Sequence, residues 1–391
     1  MRQLRAHGIG GPLWSLLWGT LALFLSSGCN GVEQGSGADA RAEYTNRAEM
    51  LVGPGDSGAA LTDTPDGGPP AADAGAIADG AADAGSPKAC QMSLHKTALA
   101  YCAAKPEGGK LLALQDDYVA ALSPFDRSFL TQTEGSVTTA QVLTYLSQQA
   151  LDWTPAEAQL IKGILGTIDA RLAPFSFGLP TTIPLVKVSS QLGLPHTRMS
   201  FVVLPESALQ KSTAELETLL THELFHIISR HDAALRKKLY GIIGFTACAP
   251  LSYPKELADL KLTNPDTPIL QHAIQLQYSG TTYDFVPITY ASKPYSQGMG
   301  SNPFSVLTFK LLGVQTGANT TAPLYWNGGQ GPLFTVDVNQ VPAFYQKVGQ
   351  NTQYVIHPDE ILADNFALLV GGKNSSGVQS PQLLAQIAQA L

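Results

Sequence analysis

The sequence predicts an α+β fold in which a small mixed sheet packs on a site-bearing helix, flanked by a mainly helical part. Three observations carry this reading. Residues 88–177 place apolar side chains at helical spacing between capping signals. Two short runs between Thr182 and Leu204 are rich in β-branched and apolar residues. From about Ser212 a helical run follows that is apolar nearly all round, as a buried helix must be.

Each element can be justified in order. Leu94 to Ala104 reads as a short helical run between Cys90 and Cys102. Thr138 to Leu151 carries Val142, Leu143, Tyr145 and Leu146 at helical spacing. Thr154-Pro155-Ala156-Glu157 is a helix start, with Thr as N-cap, Pro in the first turn and Glu closing a capping box. That helix continues through Ile161, Ile164, Leu165 and Ile168 to about Leu172. Thr182–Ser189 and Met199–Leu204, bounded by Pro or Gly, predict strands. Ser212 and Glu215 form another capping box and open the site helix. After Phe245 the chain is rich in Pro, Gly, Asn, Tyr and Thr, which predicts long loops and short strands. A helix begins at Pro358 and stops at Gly371-Gly372, and Ser380-Pro381 opens a terminal helix.

The chain has 391 residues, enough for a large core, and a formal net charge of -7. With no Lys/Arg run, that balance argues against a nucleic-acid partner. Residues 1–29 read as an export signal: Arg2 and Arg5, an apolar stretch from Leu13 to Leu25, then Leu25-Ser26-Ser27-Gly28-Cys29. Small residues directly before Cys29 resemble the bacterial lipobox. That resemblance implies lipidation of Cys29 and a cell-envelope location, with Asn30 favouring the outer membrane. Residues 30–87 read as a disordered tether, because Asp63 to Gly85 is almost entirely Ala, Asp, Gly and Pro. The ordered domain is expected from residue 88 to 391, divided into the helical part (88–177) and a metal-site part (178–391). Export favours disulfides among Cys90, Cys102 and Cys248. Cys90 and Cys102 could close a local loop, and pairings with Cys248 stay open.

Thr221-His222-Glu223-Leu224-Phe225-His226 contains H-E-x-x-H. Four helical residues make slightly more than one turn, so His222 and His226 project from one face, where two imidazoles can bind one zinc ion. Glu223 lies beside them, placed to take a proton from water at the metal. Random composition would produce about 0.01 such motifs in a chain like this, so accident is a poor explanation.

Three carboxylates could supply a third ligand: Asp232, Asp284 and Glu360. Asp232 follows His226 by six residues but lacks the Gly turn, since Ser229 stands there, and it also suits the N-cap of Ala233 to Tyr240. Asp284 lies in Gly280-Thr281-Thr282-Tyr283-Asp284, similar to the aspzincin pattern but one residue too long. Glu360 and Asp364 stand four apart in His357-Pro358-Asp359-Glu360-Ile361-Leu362-Ala363-Asp364, hence on one helical face. Acids that complement the dipole at a helix start would account for Asp359 and could account for Glu360, but they account poorly for Asp364, which lies in the second turn of an apolar helix.

With H-E-x-x-H upstream, the Glu360/Asp364 pair resembles the gluzincins, the thermolysin-like clan of zinc metallopeptidases. The resemblance covers two helices and the strand before the first. It implies a zincin-like fold, one Zn2+ held by His222, His226 and Glu360, and Asp364 orienting a zinc-bound His. It further implies that Met199–Leu204 edges the cleft, pairing with substrate backbone. Glu223 would be the general base of a peptidase acting on a peptide or protein substrate while tethered to the bilayer. Gluzincins carry a His or Tyr beyond the third ligand to stabilise the oxyanion, and this chain has no His, Tyr or Arg after Glu360. That role would fall to Tyr290, Tyr295 or Tyr354. The alternative is a membrane-tethered binding protein with a zincin fold and a non-catalytic zinc site.

Overall fold

A computed structural model describes residues 89–299, 303–372 and 378–391. The expected signal segment, Cys29 and the tether lie outside the described residues. Among these residues the architecture is α+β, with two sheets and no helix long and apolar enough to cross a membrane.

Cys90 and Cys102 form a disulfide, which leaves Cys248 as the cysteine outside a bridge among the described residues. What lies between the bridged cysteines corrects the sequence reading. It is a hairpin, β1 (Met92–Leu94) and β2 (Ala98–Cys102), rather than a helix. Both faces of β2 are buried, so its run of small and apolar residues has no polar side to betray alternation. The predicted helical part follows as α1 (Lys105–Leu112), α2 (Asp117–Ala121), α3 (Pro124–Thr131), α4 (Thr139–Gln148) and α5 (Pro155–Leu172). The Thr154/Glu157 capping box forms as expected.

Next come β3 (Thr182–Val188), β4 (His196–Arg198) and β5 (Phe201–Pro205), completing a mixed sheet of order β1-β2-β3-β5-β4. β2, β3 and β5 run parallel, and β4 closes the edge antiparallel to β5. The sheet is buried on both faces by period-2 alternation. Ile183, Leu185, Val202 and Leu204 pack with α5 and the next helix, whereas Val186, Val188, Phe201 and Val203 pack with Leu112, Val142 and Leu146 of the first helices. The expectation that Met199–Leu204 forms the sheet edge is therefore corrected. β5 is interior, and the edge belongs to β4, too short and too near Pro195 to register as a strand in the sequence.

α6 (Thr213–His231) carries the motif, and α7 (Ala233–Ile242) follows at once. Then comes a second, antiparallel sheet: β6 (Phe245–Ala247), β7 (His272–Tyr278), β8 (Thr281–Ala291), β9 (Leu307–Thr316), β10 (Thr321–Pro323) and β11 (Thr335–Val336). Here the expectation of short strands is also corrected, since β8 and β9 have 11 and 10 residues. Ser279 and Gly280, both at positive φ, make the two-residue turn of the β7–β8 hairpin. Pro287 disguises β8 in the sequence. It is tolerated because it lies beyond the last β7 pair, Ile274 with Phe285. The chain ends in α8 (Pro342–Val348), α9 (Pro358–Val370) and α10 (Pro381–Ala390), and α9 packs along α6.

Candidate metal centre

Two helices make the site. α6 begins at the Ser212/Glu215 capping box, and its second half is buried. α9 begins with Pro358 at its first turn, and His357 caps it by accepting from the Asp359 backbone N–H. Their packing leaves His222, Glu223, His226 and Glu360 at 6%, 3%, 1% and 1% exposure.

Nε2 of His222 lies 3.1 Å and Nε2 of His226 3.5 Å from the same oxygen, Oε2 of Glu360. The two rings stand edge to face, 4.8 Å between centroids. The opposite ring nitrogens decide what these atoms can be. Nδ1 of His222 lies 2.9 Å from Oδ1 of Asp364, and Nδ1 of His226 lies 2.7 Å from Oδ2 of Asp359. A carboxylate accepts, so each Nδ1 donates, and each neutral ring turns an Nε2 lone pair inward. With both rings neutral, two lone pairs and a carboxylate oxygen converge in one buried space, an arrangement that a shared cation can satisfy. Nε2 of His226 and Oε2 of Glu223 have no hydrogen-bond partner there. His222, His226 and Glu360, their ligand atoms within 4.8 Å of one another, could hold a metal ion.

The carboxylates that steer the imidazoles are themselves held. Oδ1 of Asp359 accepts from the Ser229 and Tyr240 hydroxyls at 2.5 and 2.7 Å. Asp364 accepts from the Thr352 hydroxyl. The outer oxygen of Glu360 accepts from the side-chain amide of Asn264 at 2.6 Å. Burial pulls the His222 imidazole down, but the Asp364 and Glu360 hydrogen bonds outweigh it and hold the metal-free ring at about 10. Burial, then the charge of Asp266, pushes Glu223 up to about 8. His357 moves the other way, lowered to about 4 mainly by burial, so its Nδ1 remains an acceptor for the helix cap.

Asp266 belongs to the loop before β7, and one of its carboxylate oxygens lies within 4.8 Å of ligand atoms of Glu223 and His226. Its Oδ1 accepts from the backbone N–H and hydroxyl of Thr197 at 2.6 and 2.7 Å. Arg230 clamps the same loop, donating to the Asp266 carbonyl at 2.7 Å and to the Met199 carbonyl at 2.8 Å. A recess of about 150 Å³ adjoins the centre and shares Asn264, Asp266 and Tyr354 with it. Its other walls include Phe129, Leu130, Leu194, Leu262, Phe304 and Leu307.

The remaining expected residues sort cleanly. Tyr354 lines the adjoining recess, where burial and then the charges of Glu360, Asp266, Asp364 and Glu223 hold its phenol well above the usual range. Tyr290 packs in the outer cluster of the second sheet, and Tyr295 packs edge-on against Phe125 and Phe129. Asp232 caps α7 by accepting from the Leu235 N–H at 2.9 Å. Asp284 sits on β8 beside Gln275 and Thr316. Sequence reasoning missed Asp359 as the partner of His226, although two ligating imidazoles each need such a partner and Asp364 was expected to serve only one of them. It also missed Asn264 and Asp266, which stand in a Pro-containing loop without periodicity. No family model, curated protein or solved structure matches this chain.

Proposed function

We propose that the chain is a zinc-dependent hydrolase with a zincin-like fold, resembling the gluzincins, and that it cleaves peptide bonds. The observation that carries the reading is the convergence of His222, His226 and Glu360 on one point, with the buried, unpartnered Oε2 of Glu223 beside it. Two imidazoles and one carboxylate match a catalytic zinc set, which leaves a position open, whereas structural sites use four protein ligands. When bound, zinc supplies Lewis acidity and lowers the pKa of water.

The chain's own residues do the rest. Glu223, anchored mid-helix, takes a proton from the attacking water and delivers it to the leaving amine. The Tyr354 phenol, kept protonated, donates to the oxygen on which negative charge develops. Asp364 and Asp359 fix the tautomers of His222 and His226. The Asn264 amide holds the outer oxygen of Glu360 and so orients the inner one.

The location follows the same reading. Cys29 anchors the chain to lipid in the bacterial cell envelope, outer membrane favoured, with the catalytic domain outside the cytoplasm, and the Cys90–Cys102 disulfide accords with an oxidising compartment. The test is Glu223→Gln in the full chain. It should retain bound zinc and the wild-type circular dichroism spectrum while peptide hydrolysis falls by at least about 100-fold. Activity within a few-fold of wild type would remove Glu223 from the mechanism.

A further inference from the structure

Thr197 lies mid-strand in β4, the edge of the first sheet, where a peptide could add as a further strand. Its backbone N–H is engaged instead by Asp266, and Arg230 holds that loop in place. The cleft is therefore closed on the Asp266 side by the protein's own chain. What closes it is a carboxylate beside Glu223 and His226, while Oε2 of Glu223 stays buried and unpartnered.

We propose that Asp266 seats the free α-ammonium of a peptide substrate, making the enzyme an exopeptidase that removes the first residue from unblocked amino termini. This deepens the peptidase reading and rests on it. Three arguments converge on the assignment. The first is charge. Asp266, Asp359, Glu360 and Asp364 lie around the centre, and their carboxylates outnumber the charge of one dication, so a cationic terminus is drawn in and an anionic one repelled. The nearby guanidiniums are already engaged: Arg230 with Thr197 and backbone carbonyls, Arg198 with Asp116 and the Leu112 and Leu114 carbonyls. The second is length. An amino nitrogen lies only about 2.5 Å from the carbonyl carbon of its own residue. Only a carboxylate immediately beside the hydrolytic pair can reach it, and Asp266 is that close. The third is the recess next to Asp266. Its volume matches a cavity of about 150 Å³ that admits benzene, so it suits an aromatic or large aliphatic first side chain. Each turnover consumes one water. The C–N bond after the first residue breaks, a C–O bond forms, and Glu223 passes the water's proton to the departing amine.

The test compares one peptide with an N-terminal Phe, free or acetylated, on the zinc-loaded full chain, with products mapped by mass spectrometry. In parallel, calorimetry measures phenylalaninamide and its N-acetyl derivative binding to the zinc-free chain, wild type and Asp266→Asn. We expect release of the first residue only. Acetylation should cost about tenfold or more in kcat/KM and in amide affinity, a loss that Asp266→Asn abolishes. Internal cleavage of the acetylated peptide at equal rate would overturn the assignment while leaving the peptidase reading intact. If no peptide is cleaved but the amine preference exists and disappears in Asp266→Asn, the ammonium seat stands and the peptidase reading falls. Equal binding of the two amides by the wild type overturns the seat without recourse to any variant.

Discussion

Asp359 places its Oδ2 2.7 Å from Nδ1 of His226, and its other oxygen receives two hydroxyls, so the carboxylate is fully satisfied although almost wholly buried. Asp364 does the same for His222 from the next turn of the same helix. One helix thus supplies the candidate ligand Glu360 and both carboxylates that orient the two imidazoles.

Asp359→Asn and Asp364→Asn should each weaken zinc binding by about 10–100-fold, because the ring loses its anionic partner and part of its basicity. Competition against a chelator reads this directly. Asp359→Asn should also lower thermal stability more than Asp364→Asn, since it disturbs the buried Ser229 and Tyr240 hydroxyls as well. Equal zinc affinity in both variants and the wild type would remove the orienting role.

Glu360→Ala should abolish tight zinc binding, whereas Asp232→Ala should leave it intact. Asp232 accepts a helix-cap hydrogen bond, so its loss should cost about 1 kcal/mol, read as a lower denaturant midpoint at unchanged zinc content. Loss of zinc in Asp232→Ala with retention in Glu360→Ala would force a different ligand set.

Zinc bound at the proposed site would compete with protons for His222. In the zinc-free chain its folded pKa is raised from 6.5 to about 10 by its two carboxylate partners. The associated stability is fully present below pH 6.5 and is lost as pH rises through about 10. Zinc at the proposed site must displace that proton and one from His226, whose ring is also held well above its ordinary value, so apparent affinity should rise with pH by about tenfold per unit for each proton displaced. Calorimetry in buffers of different ionisation enthalpy would show proton release at neutral pH. No release would mean that the metal-free ring is already neutral.

Removing the Cys90–Cys102 bridge by paired Ala substitutions should destabilise the fold by about 3 kcal/mol, the loop-closure value for a bridge of sequence separation 12. Zinc content should not change, because β1 lies at the opposite edge of the sheet from β4. Urea unfolding and metal analysis of the same sample test both halves.

The part of the site that helical geometry dictates was legible in the sequence. His222 and His226 are four apart, as are Glu360 and Asp364, and each pair must share a helix face once the helix exists. The capping boxes at Thr154 and Ser212 marked helix starts for the same reason, being local hydrogen bonds between near neighbours. The features that depend on distant pairing were not legible. β2 of the β1–β2 hairpin lies in a run of small and apolar residues with no polar face and resembled a helix, and Pro287 hid β8. Asp266 depends for its position on contacts with Thr197 and Arg230, more than 30 residues away in sequence.

The central claim is that His222, His226 and Glu360 form a zinc site, and the most direct test is the metal content of the full chain. Purified without chelators, the wild type should carry about one equivalent of zinc per chain, and a His222→Ala, His226→Ala double variant none. An unchanged zinc content in that double variant would contradict the account at its root.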